Sequence, residues 1–178
     1  MPNIFAISDT WFNRLLTNDQ DVNVVDNNEK LIRCWNETVK SDDKVYVLGG
    51  FGIGDLYHII IRLKGEIHFL NNYFNGDEKM FIDSMWKTLE KSSDPEIINK
   101  VVFEDNQIVI LNELDSVLTY YPLEEWPGKS SGTYCFHGFN DLVSINDHNI
   151  SCMSNMWDSK PVMLKQVQEN ITTFNSKI

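Results

Sequence analysis

Short apolar runs and longer amphipathic stretches alternate through the first half of the chain. Ile4-Phe5-Ala6-Ile7 is an unbroken apolar run closed by Ser8-Asp9, the pattern of a buried strand. From Asp26 to Val39, Leu31, Ile32, Trp35 and Val39 fall on one helical face, and Asp26 with Glu29 has the layout of a capping box. Lys44 to Leu48 reads as a second strand ended by Gly49-Gly50. Asp55 is placed to cap a helix carrying Leu56, Ile59, Ile60 and Leu63, with Gly65 as its stop and Glu66 to Leu70 as a third strand. Met80 to Lys91 is amphipathic, with Phe81, Met85, Trp86 and Leu89 on its apolar face.

After Pro95 the period changes. Val101–Glu104, Gln107–Leu111, Ser116–Tyr120, Thr133–His137 and Asn149–Met153 are short strand-like runs between turn residues. A tail from Pro161 places Leu164, Val167, Ile171 and Phe174 at helical spacing. Strand–helix alternation followed by a run of strands predicts an α/β layered sandwich.

Composition narrows the class. The chain has 178 residues, enough for one domain with its own core, and 42% hydrophobic and 12% aromatic residues mark it as globular. Fifteen basic residues against 26 acidic ones give a net charge of −11, which repels nucleic-acid phosphate and anionic lipid; its first reading is solubility, and its second an acidic face for a basic protein partner. No apolar run reaches the ~20 residues of a membrane span, and Met1–Phe5 lacks the features of a signal peptide, so a soluble cytoplasmic protein is expected. Cys34, Cys135 and Cys152 are odd in number and far apart, against a disulfide scaffold or a cysteine zinc site.

The places to look for chemistry are the turns beyond the strands' carboxyl ends. These are Ser8-Asp9-Thr10-Trp11, Gly49-Gly50-Phe51-Gly52, Asn71-Asn72-Tyr73-Phe74, Tyr120-Tyr121-Pro122 and His137-Gly138-Phe139-Asn140-Asp141. The glycine-rich Gly49–Gly54 lacks both dinucleotide-binding spacing and a Walker lysine. His58, His68 and His148 have no metal-ligand spacing, and Cys135 with His137 reads as a core thiol beside a ring rather than as nucleophile and base.

Taken in order, these turns resemble those of the calcineurin-like metallophosphoesterases. That family carries Asp-x-His, Gly-Asp, Gly-Asn-His-Asp/Glu, a lone His and Gly-His-x-His after successive strands. The correspondence runs over nearly the whole chain, with Trp157–Val162 similar to the closing segment. The resemblance implies two mixed β-sheets flanked by helices in a single domain spanning residues 1–178.

It also implies a dismantled metal centre. Asp9 retains the first aspartate and Asn72 the asparagine ligand, but Trp11, Tyr120 and Phe139 fall on histidines, Gly50 on the metal-bridging aspartate, and Asp141 on the last histidine. Tyr73 replaces the histidine that protonates the leaving group, Phe74 the acid beside it, and His137 matches a non-ligating histidine. A two-metal hydrolase needs about seven nitrogen and oxygen donors around ions ~3.5–4 Å apart. Asp9, Asn72 and Asp141 leave three, enough only for a weakly held divalent cation, and no cofactor is expected. The residue types of Asp9 and Asn72 also suit turn and helix-cap chemistry.

The resulting expectation is a catalytically inactive binding module, a phage-type factor that engages a host protein. Its contacts would come from Trp11, Tyr73, Tyr120 and Phe139, with Glu124 and Glu125 at the site mouth; the other reading of the same four rings is a plugged, collapsed site. The alternatives are a metal-dependent phosphoesterase with a reduced site and a nucleotide or small-ligand binder using the former cleft.

Overall fold

The computed structural model describes residues 2–14, 23–71, 95–139 and 148–175. The amphipathic stretch Met80–Lys91, and Asn72, Tyr73, Phe74 and Asp141, lie outside the described residues.

Among the described residues, nine strands form two sheets. The first has the order β4-β3-β2-β1-β9 and contains β1 (Ile4–Ile7), β2 (Lys44–Val47), β3 (Glu66–Phe69), β4 (Val101–Phe103) and β9 (Val162–Met163). Strands β1 to β4 run parallel and β9 pairs antiparallel to β1. The second has the order β5-β6-β7-β8, with β5 (Ile108–Leu111), β6 (Ser116–Thr119), β7 (Tyr134–His137) and β8 (Asn149–Ser151). Here β5 is antiparallel to β6 and the rest are parallel. Both sheets are therefore mixed, within one α/β domain.

The period-2 alternation of the strands builds two cores. Phe5, Ile7, Val45, Val47, Ile67 and Phe69 pack under Leu31, Ile32 and Trp35 of helix α1 (Val24–Thr38), together with Ile59 and Ile60 of the one-turn helix α2 (Tyr57–Ile60). The opposite face of the first sheet, through Ala6, Tyr46 and Leu48, meets Leu118, Phe136 and Ile150 of the second. Leu164 of helix α4 (Leu164–Asn175) closes that inter-sheet core. A smaller cluster of Val117, Cys135 and Trp126 covers part of the second sheet's outer face. Helix α3 (Pro95–Ile98) leads into β4.

Several local readings change. Helix α1 starts earlier than Asp26: Asn23 is its N-cap, and the Asn23 side chain accepts from the Asp26 backbone N–H at 2.9 Å. Asn23 also donates to the Asp26 carboxylate at 2.6 Å, so the cap is reciprocal one turn upstream of the Asp26–Glu29 pair. Glu29 is instead gripped by both terminal nitrogens of Arg62, at 2.7 and 2.6 Å. That guanidinium holds the Glu29 carboxyl below its ordinary range.

The helix expected from Asp55 is a single turn. Arg62 and Leu63 donate to the carbonyls of Ile59 and Ile60, three residues back, at 3.0 and 3.3 Å. The β-branched run Ile59-Ile60-Ile61 disfavours continuation, and Gly65 turns the chain at φ +88°. Asp55 closes an Asx-type turn onto the Tyr57 N–H at 3.0 Å. Val101–Phe103, grouped by sequence order with the later strands, belongs to the first sheet as its edge. In the tail from Pro161, Val162–Met163 is strand, and the helix begins at Leu164.

The histidines follow their surroundings. His68 is buried, its ring nitrogens 2.7 Å from Glu104 and 2.6 Å from Glu66, and it stacks on Tyr46 with centroids 4.5 Å apart. Burial, reinforced by the charges of Glu104, Glu113 and Glu66, pushes the Tyr46 phenol up to about 12.

Candidate functional site

The carboxyl ends of the two sheets meet at one place. Ser8, just past β1, accepts from Ser154 N and donates its own N–H to Cys152 O, both at 2.9 Å, stitching β1 to the end of β8. Gly138, just past β7, lies where a Cβ would come within 2.9 Å of Tyr120 Cδ2 and 3.0 Å of both Leu48 Cβ and Ser8 Cβ. No side chain at residue 138 fits among those neighbours, so glycine is required by close approach. The Ser8 hydroxyl donates to the Gly138 carbonyl. Four of the five motif-bearing turns are therefore seen to converge.

Two of the turns are zipped together. Asp9 N donates to Gly49 O at 3.0 Å, Trp11 N to Gly50 O at 2.9 Å and Phe12 N to Phe51 O at 2.8 Å. Ile53 N returns a bond to Phe12 O at 3.0 Å, and the Thr10 hydroxyl donates to Phe51 O at 2.7 Å. To make this ladder, Asp9, Trp11 and Asn13 take left-handed φ values of 52°, 47° and 63°. Such a conformation is common for Asn and Asp and rare for Trp, so Trp11 carries local backbone strain. Asn13 is held by reciprocal bonds with Asn28, at 3.0 and 2.8 Å, and by donating to Ile53 O and Asp55 O at 3.0 Å.

Asp9 and Gly50, the positions that the resemblance aligns with two carboxylate ligands, are in direct apposition. Gly50 has φ +59°, and a Cβ there would run into Asp9 Oδ1 and approach Asp9 Cα to 3.0 Å. The Asp9 carboxylate thus occupies the space a side chain at residue 50 would need. Asp9 is 8% exposed, its backbone carbonyl accepts from the Ser154 hydroxyl at 2.7 Å, and its Oδ2 lies 3.4 Å from the Ser8 hydroxyl. No group of three or more His, Cys, Asp or Glu side chains able to hold a metal occurs among the described residues.

Rings line the rest. Tyr120, Tyr121 and Phe139 form a triangle with centroids 4.8, 5.6 and 5.4 Å apart. Phe139 N donates to Tyr120 O at 2.8 Å, which ties the two strand ends together. Tyr120 is 6% exposed, whereas Tyr121 is 39% exposed and Phe139 is half-buried. Tyr120 therefore packs, and the ring offered to solvent at this corner is that of its neighbour Tyr121, which lies outside the motif positions. Trp11 is half-buried, with the Arg14 guanidinium 4.8 Å above its ring. Tyr120→Ala is expected to cost about 2–4 kcal/mol and Tyr121→Ala under about 1 kcal/mol, read from urea midpoints. Equal costs would remove the division between packing ring and surface ring.

The remaining candidates take structural roles. His137 is 3% exposed, and burial pushes its pKa down against the opposing effect of a 2.6 Å bond between Nδ1 and the Phe139 carbonyl. Cys135 shares the outer face of β7 with His137, as the i, i+2 spacing requires, but burial raises its thiol to about 11. Cys152 is raised further by burial. Glu124 and Glu125 are exposed; Lys129 bonds the Glu124 carbonyl and lies 2.8 Å from the Glu125 carboxylate. Lys129 also sits over Trp126, whose indole donates to Thr133 O at 2.8 Å.

No protein-family model matches the chain, and no curated protein matches it in sequence. Among solved structures it is similar to AQ665 from Aquifex aeolicus, a protein of unknown function. That likeness has a TM-score of 0.58 at 16% identity, over 95% of this chain and 99% of the other, and carries the two-sheet α/β fold alone.

Proposed function

We propose that this chain descends from calcineurin-like metallophosphoesterases, has lost the two-metal centre, and acts by binding another protein. The observation that carries this reading is the apposition of Asp9 and Gly50. Where that family places a carboxylate shared between two metal ions, this chain has no side chain and has closed the gap with Asp9 itself. Trp11, Tyr120 and Phe139 supply hydrocarbon or a weakly basic phenol where imidazoles would stand, and such groups neither hold two divalent cations nor ionise a water between them.

The partner we favour is a protein with a basic surface, met through Trp11, Tyr121 and Phe139 and steered by the net charge of −11. A phage-type factor engaging a host protein in the cytoplasm fits that chemistry. The purified chain with added Mn²⁺ is expected to hydrolyse bis(p-nitrophenyl) phosphate no faster than buffer, with Asp9→Ala indistinguishable from the parent. Manganese-dependent turnover that disappears in Asp9→Ala would instead establish a phosphoesterase with a reduced site.

A further inference from the structure

A second surface, remote in chemistry from the aromatic corner, is the free edge of the second sheet. Strand β5 is that edge, pairing among the described residues with β6 alone. The direction of its backbone groups follows from the next ladder. Thr119 O accepts from Gly138 N at 3.1 Å, so Thr119 points its polar groups toward β7, and by alternation Leu118 and Ser116 point theirs toward β5. Their partners Val109 and Leu111 hence bond to β6, while Ile108 and Ile110 direct N–H and C=O away from the sheet. Among the described residues nothing bonds those outward groups.

The same two residues have exposed side chains, 40% for Ile108 and 50% for Ile110. Proteins blunt open edges with lysine, proline, a bulge or a covering element, because an open edge templates another strand. Gln107 to Asn112 holds no charge, no proline and no glycine. Acids stand at both ends instead: Asp105 before the strand, and Glu113 and Asp115 after it, all exposed, with Glu104 engaged by His68.

We propose that the β5 edge takes up an extended cationic segment of another protein as an added strand. Main-chain bonds to Ile108 and Ile110 give the pairing, alternate apolar side chains of the guest cover the two isoleucines, and its lysines or arginines meet the acids at the ends. A second copy of this chain is a poor guest. Antiparallel pairing of two β5 strands would set Asp105 of one against Glu113 and Asp115 of the other, between molecules that each carry −11. The inference stands apart from the vestigial site, since it uses neither Trp11 nor Tyr121 nor Phe139.

The test uses the full chain and a labelled heptapeptide alternating lysine and valine, with the glutamate–valine heptapeptide as comparison. Fluorescence anisotropy is expected to show the lysine peptide binding at least about tenfold more tightly, and amide exchange at Ile108 and Ile110 is expected to slow on binding. Ile110→Pro removes an outward N–H and keeps the Val109 and Leu111 bonds to β6, so it is expected to weaken the lysine peptide about tenfold. Should Ile110→Pro fail to fold, the double change Ile108→Lys and Ile110→Lys is expected to give the same loss by repulsion. Equal binding of the two peptides, no binding of either, unchanged exchange at both amides, or insensitivity to the edge variant would overturn the proposal. So would a dimer in sedimentation that Ile110→Pro dissolves, which would make a second copy the guest.

Discussion

Gly50→Asp, which would supply the bridging carboxylate that the proposed ancestry implies, is expected to destabilise the protein by about 3 kcal/mol or more and to create no metal site. Three costs add. The backbone at residue 50 has φ +59°, where any side chain is strained. The new Cβ would run into Asp9 Oδ1 and press on Asp9 Cα, so the zipped turns between Asp9–Phe12 and Gly49–Ile53 must part. A second carboxylate beside one that is only 8% exposed brings like charges together away from water. Gly50→Ala separates these terms: it keeps the steric and backbone costs, so it is expected to lose about 2 kcal/mol, with no added loss at neutral pH relative to acid. A Gly50→Asp protein as stable as the parent would mean that the turn is open enough to hold a second ligand. The premise of a closed site would then be wrong.

Trp35→Ala is expected to lose about 4 kcal/mol, measured as a shift in urea midpoint at unchanged slope. Trp35 is 1% exposed and is the largest side chain in the core between α1 and the first sheet. Its indole also donates to Lys64 O at 2.9 Å, pinning α1 to the turn before β3. Truncation opens a cavity and leaves that carbonyl without its donor, and the two losses act together. Trp35→Phe should recover most of the packing and none of the bond, for a cost near 1–2 kcal/mol. A Trp35→Ala cost under about 1 kcal/mol would show that α1 packs less tightly than its geometry states.

How much of this is legible in the sequence differs by residue. Ile4–Ile7, Lys44–Val47 and Glu66–Phe69 can be read because each is a short apolar run between strong turn residues, and all three lie in the first sheet. The apolar stripe Leu31, Ile32, Trp35 is readable for the same local reason, whereas the true cap, Asn23, is masked by a better-known acidic pattern three residues later. The partnership of Val101–Phe103 with β3, and the two-residue β9 beside β1, depend on pairings between distant segments, which local periodicity does not encode. A convergence of Asp9, Gly50, Asn72, Tyr120 and Asp141 is what the family resemblance implies; of these, Asp9, Gly50 and Tyr120 lie among the described residues, at the corner where the strand ends meet. The close approach of Gly138 to Ser8 and Leu48, and the exposure of Tyr121 instead of Tyr120, need coordinates, since two adjacent tyrosines are equivalent to any pattern of hydrophobicity. Ile108 and Ile110 look like ordinary strand residues, and only the sheet order reveals that they lie on an edge.

The central claim is that Asp9 no longer belongs to a metal centre. Calorimetric titration of the chelator-treated protein with Mn²⁺ addresses it without assuming a substrate. The account predicts no site tighter than about 1 mM, as so small a set of oxygen donors would give, and identical traces for the parent and Asp9→Ala. Two Mn²⁺ ions bound per chain at micromolar affinity, with at least one lost in Asp9→Ala, would contradict it.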